Sequence, residues 1–491
     1  MWNASLTAMT ASGMIRDAEA PPPEVLMNKV AIAAAALLLI VLLAIPGVVG
    51  SMTEASVRAR VAAIDESPST AAELTSFDRG WFRSTARIVL RPENPDQLAP
   101  VGAELGAFGE LPIVVELAHG PVAVLDGVYF GWSTMVARPD VEVPSVAELT
   151  KTLDVPYLFQ FRGRTPYSGG LDFDADAPPF ELPIDEALLT FSGGTLAGKF
   201  TGRNIDADAQ IGSLNFTSDT GTFAVRELSA SVDNELRSEY VMPGEASFSV
   251  ASISIAPPQS ATPMFETSNL RVKSDVDIDA AGELLEMHIN YDVDSVRVAE
   301  NEMTGGSVAV VVRNLDAAAV EAYGALATEA AAAGGSPETI TAALVPHLER
   351  ALRAGPSLTV DPIRFRYDDE PFEGRIEVTT NPARLPAAGT LSLDNPLLFM
   401  SLVNTKAELS MSKALAGQLA TLAARMQIAQ TDPTIPPEQL DYMAEGQSGL
   451  MLTMLVGQGV LVEDGDLYRT SVDFSDGSMT LNGNPLPFGF Q

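Results

Sequence analysis

A chain of 491 residues with 64 acidic and 30 basic side chains carries a net charge of −34. Such a body repels nucleic acid and anionic lipid surfaces, and no run of lysine or arginine offers a phosphate-tracking stripe. Cysteine is absent, which excludes disulfides, thiolate catalysis and cysteine-ligated zinc.

Residues 1–26, with the triplet in "AEAPPPEV", show no sustained amphipathic period and read as a disordered tail, with Met27 as an alternative start of translation. Residues 27–50, "MNKVAIAAAALLLIVLLAIPGVVG", follow. From Val30 to Val49 twenty residues pass without a charge, enough at about 1.5 Å per residue to cross a hydrocarbon core of about 30 Å. The stretch exceeds the usual core of a cleaved leader, so it reads as a signal-anchor and transmembrane helix. Lys29 just before it leaves the N-terminus in the cytoplasm and the large C-terminal part outside. Residues 51–75 read as a juxtamembrane stalk or short helix.

From about Phe77 the pattern becomes β. In "LRVKSDVDID" (270–279) Leu270, Val272, Val276 and Ile278 alternate with charged residues, and "EMHINYDVDSVRV" continues the alternation after a turn at Ala281 and Gly282. Period two over both runs predicts a long antiparallel hairpin with one wet face. Residues 363–369, 374–380 and 466–474 read the same way. Helices are expected over 316–333, from Ser336 and Pro337 to just before Gly355, over about 411–429, and over 437–456. The fold class is therefore α+β: a predominantly long antiparallel sheet with interspersed helices, preceded by one transmembrane helix. A β-rich part spans 76–300, and an α+β part spans 301–491 with helices near 316–354 and 411–456.

Candidate chemistry is sparse. Gly193, Gly198 and Lys199 have the spacing of a phosphate loop, but Phe200 stands where serine or threonine would hold magnesium. The following residues read as strand, which makes the segment a glycine-rich turn. Asp172, Asp174 and Asp176 place carboxylates on one strand face and are the best candidate cation ligands, against a default of solvated polar residues. Ser410 and Lys413 form an S-x-x-K pair at an expected helix start, without the other elements of that catalytic pattern, so Ser410 reads as a cap. His119, His288 and His347 show no paired spacing, and methionines between Met400 and Met454 read as helix packing or as an adaptable groove lining.

The stretch "SFDRGWFRSTARIVL" (76–90) contains an aromatic-x-x-Gly-x-Phe-x-Ser pattern in Phe77, Gly80, Phe82 and Ser84, shortly after the apolar segment. With "AHGPVAVLDG" (118–127, containing His119, Gly120 and Pro121), "YSGG", "FSGG", "SLTVDPIRF" and "FSDGSMTLNGNPL" in that order, the chain resembles the YdgA-like family of bacterial proteins over roughly 50–490. The resemblance implies a largely β protein of the inner membrane or periplasm, with a single-pass anchor and its body in the periplasm. It implies no catalytic or binding residues, and the shared positions read as structural.

Together these observations point to a non-enzymatic binding or scaffolding protein of the bacterial envelope. Its expected contacts are the inner membrane through residues 30–49 and an envelope protein or lipid, with no cofactor and no nucleic acid. A second reading is a carrier of lipid or another hydrophobic ligand on a curved sheet groove covered by the methionine-containing helices. A third is an enzyme with a site assembled from distant segments.

Overall fold

A computed structural model describes most of residues 54–62, then 70–92, 110–333, 347–387, 391, 401–431 and 435–486, apart from 185–186, 239, 259, 261, 300 and 476. The expected tail, the apolar segment 27–50 and the helix start at Ser336 and Pro337 lie outside the described residues. Among the described residues no helix is long and apolar enough to cross a membrane.

The chain enters the sheet at β1 (Thr70–Arg79), turns through Gly80, Trp81 and Phe82 into β2 (Arg83–Pro92), and continues in β3 (Leu111–His119). A separate two-strand hairpin, β4 (Ala123–Val124) and β5 (Val128–Tyr129), precedes β6 (Ser133–Pro139). Helix α1 (Pro144–Thr152) leads to β7 (Gln160–Thr165), β8 (Leu171–Ala177), β9 (Phe180–Ile184), β10 (Ala187–Phe191) and β11 (Gly194–Thr201). Six long strands follow: β12 (Asn204–Ser218), β13 (Gly221–Glu235), β14 (Gly244–Ala256), β15 (Phe265–Ile278), β16 (Leu284–Val298) and β17 (Asn301–Asp316). After α2 (Ala317–Ala333) come β18 (Ser357–Tyr367), β19 (Glu370–Thr380) and β20 (Val403–Ser412). The helical pair α3 (Lys413–Thr431) and α4 (Pro437–Gly457) precedes β21 (Val462–Asp464), β22 (Leu467–Ser475), β23 (Ser478–Leu481) and β24 (Asn484–Pro485).

Twenty-two of these strands form one sheet. In space the order is β1, β2, β3, β6, β7, β8, β11, then β12 to β20 in sequence, then β22. β10, carrying β9, pairs with the far half of β12, while β21 and β23 lie along β22 and β24 along β23. Every pairing is antiparallel, so short turns suffice between neighbours. Asp368 and Asp369 both take left-handed backbone (φ 47° and 66°) between β18 and β19, the conformation that suits a tight hairpin. Between β15 and β16, Asp279 Oδ1 accepts the amides of Glu283 (2.7 Å) and Leu284 (3.1 Å), and Gly282 supplies φ 75°.

Among the described residues, the expected hairpins and the helices expected over 316–333, about 411–429 and 437–456 are present with small boundary shifts. β1 begins at Thr70, inside the region expected as stalk, because Ala72 and Leu74 have partners on β2. The expected break at 300 is crossed by the β16–β17 ladder. Ser410 lies in β20 rather than at a helix start, and Ser412 is the cap, its Oγ accepting the Leu415 amide at 2.9 Å. α2 is capped by Asp316, whose Oδ1 accepts the Ala319 amide at 2.8 Å. Gly355 ends the helical stretch 347–353 in left-handed backbone, φ 72°.

Candidate functional site

Residues directly opposite one another in an antiparallel ladder point to the same face, so the register traces which side chains share a surface across the whole sheet. One row starts at Phe77 on β1 and passes through Ala86, Val115, Ala137, Phe161 and Ala175. It continues through Leu196, Ala209, Ala230, Phe248, Val272 and Tyr291, then Val308, Ile363, Gly374 and Leu409 on β20. No charged residue interrupts it. At about 4.8 Å between strands the row runs on the order of 70 Å, more than twice the thickness of a bilayer's hydrocarbon core, about 30 Å.

Two residues along, a parallel row on the same face includes Leu117, Met135, Phe173, Val232, Ile289, Val310 and Ile376. Gly198 belongs to it. A Cβ there would lie 2.5 Å from Asp206 O and 2.7 Å from both Ala207 Cβ and Phe173 Cζ, so the glycine lets the Phe173 ring lie against the neighbouring backbone. The phosphate-loop spacing thus resolves into sheet packing: Gly193 makes the β10–β11 turn, and exposed Lys199 stands between Asp172 and Asp206 in register.

The opposite face is polar and carries hydrogen bonds and ion pairs between neighbouring strands. Ser229 meets Ser249 and Ser231 meets Ser247, each at 2.7 Å. Arg271 pairs with Asp294 (2.7 Å), and Arg313 with Glu286 (2.8 Å), which also bonds His288 (3.0 Å). Asp174 and Asp176 lie here, held by Arg162 at 2.7 and 3.0 Å, with Arg164 3.3 Å from Asp174. Asp176 also accepts the Tyr157 hydroxyl and holds that phenol above its ordinary pKa range. Asp172 faces Arg164 in register. The carboxylates proposed for a cation thus have arginine neighbours, and among the described residues no group of three or more His, Asp or Glu is arranged around a metal position.

On the apolar face, burial differs along the row. At β2 and β3 Ala86, Val115 and Leu117 are buried, packed with Val57, Leu74, Phe77 and Met135. Over β12–β16 Val241 and the start of α2, through Ala317 and Val320, pack on Val276, Ile278 and Leu285 at one end of the strands, while further along Phe248 and Tyr291 are 38% and 42% exposed. The far end of the long strands adds a further apolar row, Phe216, Phe223, Ile255, Phe265 and Val298, consecutive in register. Between the two zones Glu227 and Asn269 take left-handed backbone (φ 50°) inside their strands, a local irregularity that bends a strand and shifts its alternation. A cleft of about 480 Å³ there is lined in part by Ile211, Leu228, Val250 and Leu270. The methionine-containing helices do not cover this zone: α3 packs on β19, β20 and β22, and Met426, Met443 and Met454 are exposed.

The motif around 76–90 and the one around 119 meet at the end of β2 and β3. Ser84 Oγ and His119 Nε2 are 2.8 Å apart, with the two residues 2% and 1% exposed. Burial lowers the His119 pKa, and its Nδ1 has no partner among the described residues. Both groups are sealed from solvent, and among the described residues no carboxylate orients the ring, so the pair as placed has neither the access nor the third member that nucleophilic catalysis needs. Its position explains it as a clamp. The His119 amide donates to Phe82 O (2.8 Å), the Gly120 amide to Trp132 O (3.0 Å), and the Tyr167 hydroxyl to Pro121 O. Gly80 closes the turn above, where a Cβ would sit 2.3 Å from Arg83 O. Gly80, Phe82, Ser84, His119, Gly120 and Pro121 are thereby brought together, while Phe77 belongs to the neighbouring packed cluster. The Ser84–His119 contact escaped the sequence reading because 35 positions separate the two. Their shared signal was an inward position beside a glycine turn.

A family model covers almost all of this architecture. It is described as "Bacterial protein of unknown function (DUF945)" and matches residues 27–488. The chain belongs to that family. No curated protein and no solved structure matches it.

Proposed function

We propose that the protein binds acyl chains, or hydrophobic ligands of similar length, along the open apolar face of its sheet, as a membrane-anchored component of the bacterial envelope. The observation that carries this reading is the uncharged register row from Phe77 to Leu409 with Phe248 and Tyr291 left open over β14 and β16. Exposed apolar surface that is contiguous and rimmed by polar residues marks a binding surface. The envelope location rests on the charge-free stretch 30–49 and on the YdgA-like resemblance of the motifs. Weight moves from scaffolding to ligand binding because the face is long and apolar and leaves Phe248 and Tyr291 open at its middle. Scaffolding attaches to a different surface, the outer side of α3 and α4, where Leu422, Met426, Leu450 and Met454 are exposed.

The test is displacement of a fluorescent fatty acid from the full chain. Phe248→Glu and Tyr291→Glu, each placing a charge in the row, are expected to weaken binding by tenfold or more, a loss of about 1.4 kcal/mol, while circular dichroism stays unchanged. Lys273→Glu on the polar face is the control, and equal effects from all three would reject the assignment.

A further inference from the structure

The clamp formed by Ser84 and His119 supports a rim of large apolar side chains at one end of the sheet. Trp81 and Phe82 form the β1–β2 turn, Phe130 and Trp132 the approach to β6, and Tyr167 the β7–β8 connection; all five are exposed. They are tied into one surface. The Trp132 and Tyr167 rings meet edge to face at 5.6 Å, Trp132 Nε1 donates to Tyr167 O at 3.4 Å, and Arg83 Nη2 donates to Val124 O at 2.7 Å. The chain has three tryptophans, and the two among the described residues are both on this rim. Acidic groups at this end have arginine neighbours: Glu54 lies 3.8 Å from Arg79, Asp126 3.4 Å from Arg162, and Asp172 faces Arg164 in register.

The same end receives the chain from its apolar segment. Glu54 lies 3.8 Å from Arg79, immediately before the Trp81 turn, and Val57 then packs against the β1–β3 cluster as the chain leads away from the rim. Val49, the last residue of the expected span 30–49, precedes Glu54 by five positions, a reach of at most about 17 Å at about 3.4 Å per residue. If that stretch spans the bilayer, the aromatic rim stands within the length of a headgroup layer and a short tether.

We infer that this rim seats on the lipid surface, with Trp81, Phe82, Phe130, Trp132 and Tyr167 in the interfacial layer, and so presents the β1 end of the apolar row to the membrane. Amphipathic tryptophan and tyrosine favour that layer, where the ring is apolar and the polar atom stays wet. The arginines beside the acidic groups at this end offset part of the repulsion an acidic body would meet. The inference rests on the anchor reading of residues 30–49, and its test separates the two.

Full-length protein with Trp2→Phe is reconstituted into vesicles of phosphatidylcholine with and without bromine on the acyl chains, together with variants that also carry Trp81→Phe or Trp132→Phe. Carbonate extraction at high pH reports the anchor independently. Carbonate-resistant protein whose Trp81 and Trp132 emission is blue-shifted and loses roughly half its intensity to brominated lipid supports the seating. Resistant protein with unquenched emission overturns the seating and leaves the anchor standing. Extractable protein with unquenched emission overturns both. Extractable protein that is still quenched supports the seating and rejects the anchor.

Discussion

In β2 and β3 the apolar row is buried, with Ala86 and Val115 packed against Val57, Leu74 and Met135. In β14 and β16 the same row, joined by unbroken register, leaves Phe248 and Tyr291 about two-fifths exposed. Side-chain chemistry does not distinguish the two stations, since both are apolar and both lie on the same sheet face. What differs is whether the chain supplies a cover. At β1–β3 the segment before the sheet lies on the face and completes a small core, whereas over β12–β16 the cover among the described residues is confined to one end, where Val241 and Ala317 and Val320 of α2 pack on Val276, Ile278 and Leu285. Leaving large apolar side chains in water forfeits on the order of 1.5–3 kcal/mol each relative to full burial. A row of them is the surface that the proposed ligand would cover.

That contrast can be broken by truncation. Leu117→Ala removes a fully packed side chain and is expected to destabilise the fold by about 2–5 kcal/mol. Phe248→Ala or Tyr291→Ala removes larger but half-exposed rings and should cost about 1 kcal/mol or less. Chemical denaturation of the three variants measures the difference, and equal losses would show that the middle strands are covered as well.

A smaller effect sharpens the covered end through His119. Burial depresses its pKa, so the folded chain resists a proton that the unfolded chain accepts below its ordinary value of about 6.5. The sign follows: the contribution of neutral His119 is full above about pH 6.5 and is lost as pH falls below it toward the depressed folded value. The melting temperature of the wild type should decline more steeply than that of His119→Gln between neutral and mildly acidic pH. Identical slopes would mean that the ring is not held neutral.

Much of the fold was legible from local patterns. The strands read at 270–279, 363–369, 374–380 and 466–474 declared themselves by alternation, and lie within the ladders that the structure extends to 265–298, 357–380 and 467–481. α3 and α4 followed from length and from the absence of β-branched runs. The misplaced start at Ser410 has a simple cause: β20 continues through Met411 to Ser412, and a strand end followed directly by a cap leaves no loop to see. α1 went unread because nine residues are too few to show a helical period, although Pro144 marks its first turn. The candidate face was not legible. Each strand shows two sides, but which side continues into its neighbour depends on every turn and bulge between β1 and β20, including the shifts at Leu74/Ser76, Leu285/Met287 and Val360/Ile363. Asp172, Asp174 and Asp176 were read as a group because they share a strand face, yet Arg162 and Arg164 on the adjoining strand decide their environment.

The central claim is that the middle of the apolar row is filled by lipid, and a photoreactive side chain placed in the sheet tests it most directly. Benzoylphenylalanine at Tyr291, which lies in the row, and at Asn290, which faces the other way, are illuminated in cells producing the full chain, and adducts are identified by mass. The account predicts acyl-chain adducts at position 291 and none at 290. Adducts at both positions in equal yield, or only water-quenched probe at 291, would contradict it.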